Sequence, residues 1–247
     1  MGGRALGLVL QQPGTPVSRL CSVHLPADLA AAAPGLARAA LERSPPGARI
    51  EGQLVAFEAQ QAFDSAFRHL GLAVEPREFL SLDGPLVAAP RPPAPSATRV
   101  SSLDVADLAD CARLLVEAHA GGVEARINEA FREDSAGLAY LRELVDADGC
   151  GVHEPAASSV ARAGGVVGFC IATRTSEAVG HIPQIAVLPA AQGRGVGAAL
   201  MTRTVNRLRE AGGSRVTLSV TRSNASAAAW YARAGFQVLT TFSSYYR

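Results

Sequence analysis

Gln192-Gly193-Arg194-Gly195-Val196-Gly197-Ala198 is the stretch on which the reading of this chain turns. Before it lies a strand pattern, His181–Leu188, stopped by Pro189. After it, Ala198, Met201, Val205 and Leu208 share one helical face until Gly212-Gly213. The first turn of a helix leaves N–H groups without internal partners. Alternating glycines let a bulky anion approach those groups, and the helix dipole adds favourable potential. Three glycines here would weaken a helix start that had no other use. The loop therefore reads as a phosphate cradle.

Two better-known nucleotide loops do not fit it. Gly193 to Ala198 satisfies the letters of the Rossmann fingerprint, G-x-G-x-x-G/A. In that fold the strand runs straight into the first glycine, and an acidic residue comes about 20 positions later. Here Pro189-Ala190-Ala191-Gln192 intervenes, and no Asp or Glu lies between Ala211 and Arg222. A Walker loop needs a lysine, and the chain has none: all 23 cationic side chains are Arg.

Farther along the chain, Val216, Leu218 and Val220 alternate with Thr217, Ser219 and Thr221, a strand with two distinct faces. Asn224 is placed to cap the next helix, which runs to Gly235. Asn224 and Tyr231 are two helical turns apart and look along one face. Phe236–Phe242 reads as a last strand. Upstream, Ser158–Arg162 and Val166–Thr173 are strands meeting at Ala163-Gly164-Gly165. Leu108, Ala112, Leu115 and His119 share a helical face, and Val123, Ile127 and Phe131, then Leu138, Leu141 and Val145, continue that spacing. The fold class is α/β.

Composition narrows the function. The 247 residues are 48% hydrophobic and 18% charged, which excludes a disordered chain. A net charge of +1 gives no pull toward nucleic acid or an anionic membrane. No apolar run approaches the ~20 residues of a bilayer span, and Ala5–Leu10 lacks a signal-peptide layout. Myristoylation at Gly2 is disfavoured by Leu6, where Ser or Thr belongs. Cys21, Cys111, Cys150 and Cys170 are far apart, so reduced thiols in a cytoplasmic protein are expected, without a metal.

The two motifs together resemble the GNAT superfamily of acyl-CoA-dependent N-acyltransferases. One part is Gln192-x-x-Gly195-x-Gly197 after Ile185-Ala186-Val187-x-Pro189. The other is Asn224…Ala227…Tyr231…Gly235-Phe236. The resemblance covers about residues 99–247. It implies a central mixed sheet whose strands splay beside the loop. It implies acetyl-CoA as co-substrate, its pyrophosphate on the amides of Gly193, Arg194, Gly195, Val196, Gly197 and Ala198 behind Gln192. The backbone of Ile185, Ala186 and Val187 would hold the pantetheine and acetyl group, Asn224 would contact the pantetheine arm, and Tyr231 would protonate the departing thiolate. The implied reaction acetylates a primary amine of a small molecule or a protein N-terminus by direct attack in a ternary complex. The alternative is a non-catalytic acyl-CoA sensor or partner-binding module, against which the retained Tyr231 and Asn224 speak.

The general base is open. Some members of the superfamily place a Glu five residues before the Asn, but here that position is Ser219. Glu177 and His181, at the start of the strand before the loop, are the nearest candidates, with His153 and Glu154 on the acceptor side. Trp230 is expected in packing or a dimer contact. The last strand leaves an edge for a second copy, in a homodimer, or for the N-terminal part to cover.

The first ninety residues echo the rest. Ala5–Leu10 parallels Val166–Ile171, Val23-His24-Leu25-Pro26 parallels Ala186–Pro189, and Ala66-Phe67-x-x-x-Gly71-Leu72 parallels Trp230-Tyr231-x-x-x-Gly235-Phe236, at a nearly constant offset. A helix (Leu36–Arg43) and a strand (Ile50–Phe57) lie between. The echo lacks the chemistry: Leu29, Ala32 and Pro34 replace Gln192, Gly195 and Gly197, Gln60 replaces Asn224, and Phe67 replaces Tyr231. Residues 1–88 thus read as a truncated, degenerate GNAT-like pseudo-domain. The proline-rich residues 89–98 form a linker, and 99–247 the catalytic domain.

Overall fold

The computed structural model describes residues 8–12, 17–54, 58–87, 97–147 and 149–247. Its first part carries β1 (Leu8–Gln12), β2 (Val17–His24), α1 (Ala33–Glu42), β3 (Arg49–Leu54), α2 (Gln60–His69) and β4 (Ala73–Leu82). Then come β5 (Arg99–Ser102), α3 (Leu108–His119), α4 (Val123–Ile127), α5 (Asp134–Asp146), β6 (Val152–His153), β7 (Ser159–Arg162) and β8 (Val166–Ser176). The chain finishes with β9 (Val179–Val187), α6 (Val196–Glu210), β10 (Arg215–Thr221), α7 (Ala225–Arg233) and β11 (Gln237–Tyr246).

The fold divides into two compact units, and the division does not follow the expected boundary. One unit gathers the chain up to Glu78 with Thr221–Ser223 and Thr240–Arg247. The other comprises Phe79–Val220 and Asn224–Leu239. Strands β4 and β11 each belong partly to both units. The proline-rich segment lies almost wholly outside the described residues, as does the start of the Ala5–Leu10 echo.

In the first unit β1 and β2 are antiparallel, β2 and β3 parallel, and β3 and the end of β11 antiparallel, with Ser243–Tyr246 against Leu54–Glu51. The edge expected at the last strand is thus covered by β3, from the N-terminal part. Leu25, Ile50, Leu54, Phe63 and Phe67 are fully buried there, together with Tyr245.

In the second unit the strand order is β4-β10-β9-β8-β7-β5, with β6 beside β8. The strands β5, β7, β8 and β9 run antiparallel, and β9 and β10 are parallel. A parallel pair needs a long crossover, which α6 supplies. On one face α6 buries Leu200, Met201, Val205 and Leu208 in a cluster with Leu80, Leu82, Val216, Leu218 and Phe236. On the other, Leu108, Leu115, Leu141 and Leu144 pack on Val160, Phe169 and Ile171. Strand β4 escapes the sequence pattern because Glu75, Pro76, Arg77 and Glu78 interrupt any alternation.

Candidate functional site

The site grows from one interruption of the sheet. Strands β9 and β10 pair over four residues, Val179–Ile182 against Arg215–Leu218. The ladder ends there, where Pro183 has no N–H to continue it. On the other side β9 stays bound to β8 as far as Val187, opposite Gly168. The last residues of β9 are therefore paired on one side only, and a gap opens toward β10.

The phase of the β8–β9 ladder shows what faces that gap. Leu188 N–H donates to the Val167 carbonyl at 3.0 Å. Backbone groups alternate in direction along a strand. Ile185 and Val187 therefore turn their N–H groups away from β8, toward the side that β10 has left. Ala186 turns its own toward β8.

A bulge sorts the side chains. Between the pairs Thr173–His181 and Ile171–Gln184, β9 carries one more residue than β8. Ile182, Ile185 and Val187 consequently join the cluster under α6, while Ala186 joins the one under α3 and α5. His181 and Gln184 fall on the α3–α5 side, where the Tyr140 hydroxyl donates to Gln184 Oε1 at 3.4 Å.

The loop after β9 has the conformation that the glycines anticipated. Gly193 and Gly195 have φ of 72° and 82°, in the left-handed region that favours glycine. Gly195 is the cap of α6, no side chain caps the helix, and its first turn holds no acidic residue. The first amides of α6 thus face no competing carboxylate of their own helix. Gly197 needs neither a special φ nor the space: an added Cβ would meet Val187 Cγ2 at 3.6 Å and Trp230 at 3.8 Å, ordinary contacts. Packing does not explain a glycine there, whereas close approach of a diphosphate does. The loop fits a pyrophosphate on this ground. Gln192 does something the sequence did not suggest. Its Nε2 donates to the Val187 carbonyl at 3.0 Å, tying the loop to the end of β9.

The second motif lies on α7. Asn224 caps the helix, its Oδ1 accepting from Ala227 N–H at 3.3 Å, which leaves the Nδ2 group to donate elsewhere. Tyr231 is 7% exposed and belongs to the cluster that holds Ile182, Val196 and Val220. Its ring lies 5.0 Å from Trp230 and 5.8 Å from Phe236. Trp230 is half-buried and packs within its own chain, its ring beside Gly197.

The two base candidates separate sharply. Glu177 is exposed in the turn between β8 and β9. At about 3.3 Å per residue, the eight steps from Glu177 to Ile185 span roughly 26 Å, so the structure does not bring it to the gap. His181 is nearer and ordered. Its Nδ1 meets Thr217 Oγ1 at 2.9 Å, and the Thr217 hydroxyl donates to the Gly180 carbonyl at 3.3 Å. That hydroxyl has one proton, so Nδ1 is the donor and the lone pair falls on Nε2. Burial pushes the imidazole down from 6.5 to about 4. His153 is also lowered by burial and bonds Ser158 Oγ at 2.9 Å, and Glu154 is paired with Arg174. Thr217, Gln184 and Phe79 were not singled out from sequence, because strand alternation marks a face but not what meets it.

The chain is thus an α/β protein with a mixed sheet whose parallel pair parts beside an uncapped, glycine-lined helix start. Residues 123–236 match the model of the acetyltransferase (GNAT) family. The solved structures agree in fold. A GCN5-related N-acetyltransferase from Sphaerobacter thermophilus is 18% identical with a TM-score of 0.67, covering 98% of this chain and 75% of its own. A tandem GNAT protein from the clavulanic acid biosynthesis pathway is 14% identical with a TM-score of 0.62, covering 100% and 80%. A GCN5-related N-acetyltransferase from Kribbella flavida is 16% identical with a TM-score of 0.55, covering 93% and 80%. No curated protein matches the chain. Among the described residues no helix is long and apolar enough to cross a membrane, and no cluster of His, Cys, Asp and Glu is arranged to hold a metal ion.

Proposed function

We propose that this protein transfers an acetyl group from acetyl-CoA to a primary amine of a small molecule or a protein N-terminus, within a ternary complex. The observation that carries the reading is the one-sided end of β9 lying next to the uncapped start of α6. Together they offer donors for an acyl carbonyl and for a diphosphate on one continuous path. Gly193–Ala198 would hold the diphosphate, and the N–H groups of Ile185 and Val187 the pantetheine and the acyl carbonyl. Gln192 keeps the two parts of the path in register. Asn224 Nδ2 is the donor to the pantetheine arm.

In this reading the amine nitrogen attacks the thioester carbon, the C–S bond breaks, and an amide forms. The oxyanion is met by donors already fixed on β9, which need no reorganisation. The Tyr231 phenol gives its proton to the leaving thiolate. His181 Nε2 takes the proton from nitrogen. A base as weak as this imidazole does not strip a free alkylammonium. It accepts the proton that becomes acidic once the nitrogen has attacked, so the amine must arrive neutral. Glu177 has no part. Residues 1–88 are read as a degenerate domain of the same plan, and 99–247 as the body of the catalytic one.

The test is release of thiol from acetyl-CoA with a broad panel of amines and peptides, and mass spectrometry of the acylated product. Amine-stimulated release is expected. Tight binding of acetyl-CoA with no stimulation by any acceptor would favour the sensor instead.

A further inference from the structure

His181 is held on two sides. Thr217 fixes its Nδ1, and the ring of Phe79 lies across the imidazole, 6.0 Å between centroids at 27°. That is an offset stack within the range aromatic pairs prefer. Phe79 comes from β4, in the N-terminal half of the sequence, yet it is the first residue of the part of β4 that belongs to the second unit. We propose that Phe79 is a positioning residue for His181, so that the end of β4 completes the acceptor side of the transfer site. This rests on the reading of His181 as the proton acceptor.

The Thr217 hydroxyl and backbone hold the edge of the imidazole, but neither covers its face. A flat ring against one face of the imidazole holds its plane and excludes water from that face. Across the ladders His181 pairs with Thr217 of β10 and Thr173 of β8, and Phe79 of β4 stacks on its ring. No charged group shifts it, and its low proton affinity comes from burial, opposed by a hydrogen bond to the Thr217 backbone. Remove the Phe79 ring and the imidazole regains water, so its proton affinity must climb back toward that of free histidine.

The experiment uses the full chain and the variants Phe79→Ala, Phe79→Leu and Phe79→Tyr. The five histidines are titrated by NMR, with the His181 signal assigned by its loss in His181→Gln. In Phe79→Ala the His181 midpoint is expected to rise by about half to one pH unit as desolvation is partly relieved. The turnover number should fall about tenfold as the ring loses its orientation, with the KM for acetyl-CoA unchanged. Phe79→Tyr, which keeps the ring, should restore both. An unshifted midpoint in a variant that still binds acetyl-CoA overturns the proposal. If Phe79→Ala fails to fold, Phe79→Leu keeps the bulk that excludes water but not the flat ring, so its midpoint should stay while turnover falls, and an unchanged turnover there overturns the proposal. A shifted midpoint in a protein that acetylates no amine would sink the proposed function while leaving Phe79 in place beside His181.

Discussion

The two units run the same local plan to opposite ends. In each, a parallel pair of strands joined by a helix pairs over four residues and then parts: Val17–Leu20 against Arg49–Gly52 in the first, Val179–Ile182 against Arg215–Leu218 in the second. Beyond the parting the two diverge. In the second unit Gly195 swings to φ 82° and opens α6 with no cap. In the first, Ala32 stays right-handed at φ −81° and Pro34 sits in the first turn of α1, where it removes an N–H. Side chains fill the rest. Phe63 and Phe67 are fully buried, and Tyr245 lies 4.8 Å from Phe67 with its hydroxyl donating to Asp64 Oδ1 at 2.6 Å. A splayed strand pair is therefore easily kept. The backbone conformation at the helix start is what sets the second unit apart.

The largest effect comes from making the second unit begin its helix as the first does. Gly195→Pro cannot adopt a positive φ, since the pyrrolidine ring holds φ near −65°. Calorimetry is expected to show acetyl-CoA affinity reduced by more than about a hundredfold, the loss of a charge-assisted set of amide bonds. Unchanged affinity would remove the loop from the site. Next is Tyr231→Phe, which copies Phe67. Turnover should drop roughly a hundredfold, the range for a lost general acid, while acetyl-CoA affinity stays within about twofold. Equal rates would make Tyr231 a core residue and nothing more.

His181 offers a test that needs no substrate. The unfolded chain takes up a proton there near 6.5, the folded chain only near 4. Between those values the unfolded state binds more protons, so stability falls as pH drops from about 6.5 to about 4 and is untouched by this group above. The loss between pH 7 and pH 5 should be roughly 2 kcal/mol in urea unfolding, and His181→Gln should flatten that part of the profile. A profile unaltered by the substitution would mean that the imidazole is hydrated in the folded chain.

How much of this is written in the sequence depends on what each feature needs. The glycine loop and the Asn224–Tyr231 spacing need only local geometry, so α6 and α7 are legible with their caps. The gap is legible only through resemblance, because a ladder that stops at Ile182 leaves no local mark beyond Pro183. Strand β4 is invisible: Glu75-Pro76-Arg77-Glu78 has no strand period, and the strand exists because β10 needs a neighbour. With β4 hidden, a sequence reading puts the boundary at the prolines rather than at Glu78, and Phe79 has no visible link to His181. The Glu177 expectation fails for a related reason. Nearness in sequence to a strand start says nothing about distance along that strand to the gap.

The converse exchange, Phe67→Tyr, tests whether the first unit is truly closed. Its ring is fully buried against Phe63 and Tyr245, so an added hydroxyl finds no water. The variant should lose about 1–3 kcal/mol of stability, the penalty of a buried unpaired hydroxyl with some overpacking, and gain no acetyl-CoA binding. A neutral substitution would reveal room there that the packing denies.

Gly197→Ala has the smallest effect and separates packing from ligand most cleanly. The added methyl would touch Val187 and Trp230 only at ordinary distances, and alanine favours a helical position over glycine by up to about 1 kcal/mol. The melting temperature should therefore hold or rise by a few degrees. Acetyl-CoA affinity should instead fall about tenfold, because the methyl stands where a diphosphate oxygen must approach the amides. Opposite signs in the two measurements arise only if the glycine is kept for a guest rather than for the fold. If both fall together, the methyl is straining the α6–α7 contact and the glycine is structural. If neither moves, the diphosphate lies on Gly193 and Gly195, and the path to the gap begins one residue earlier.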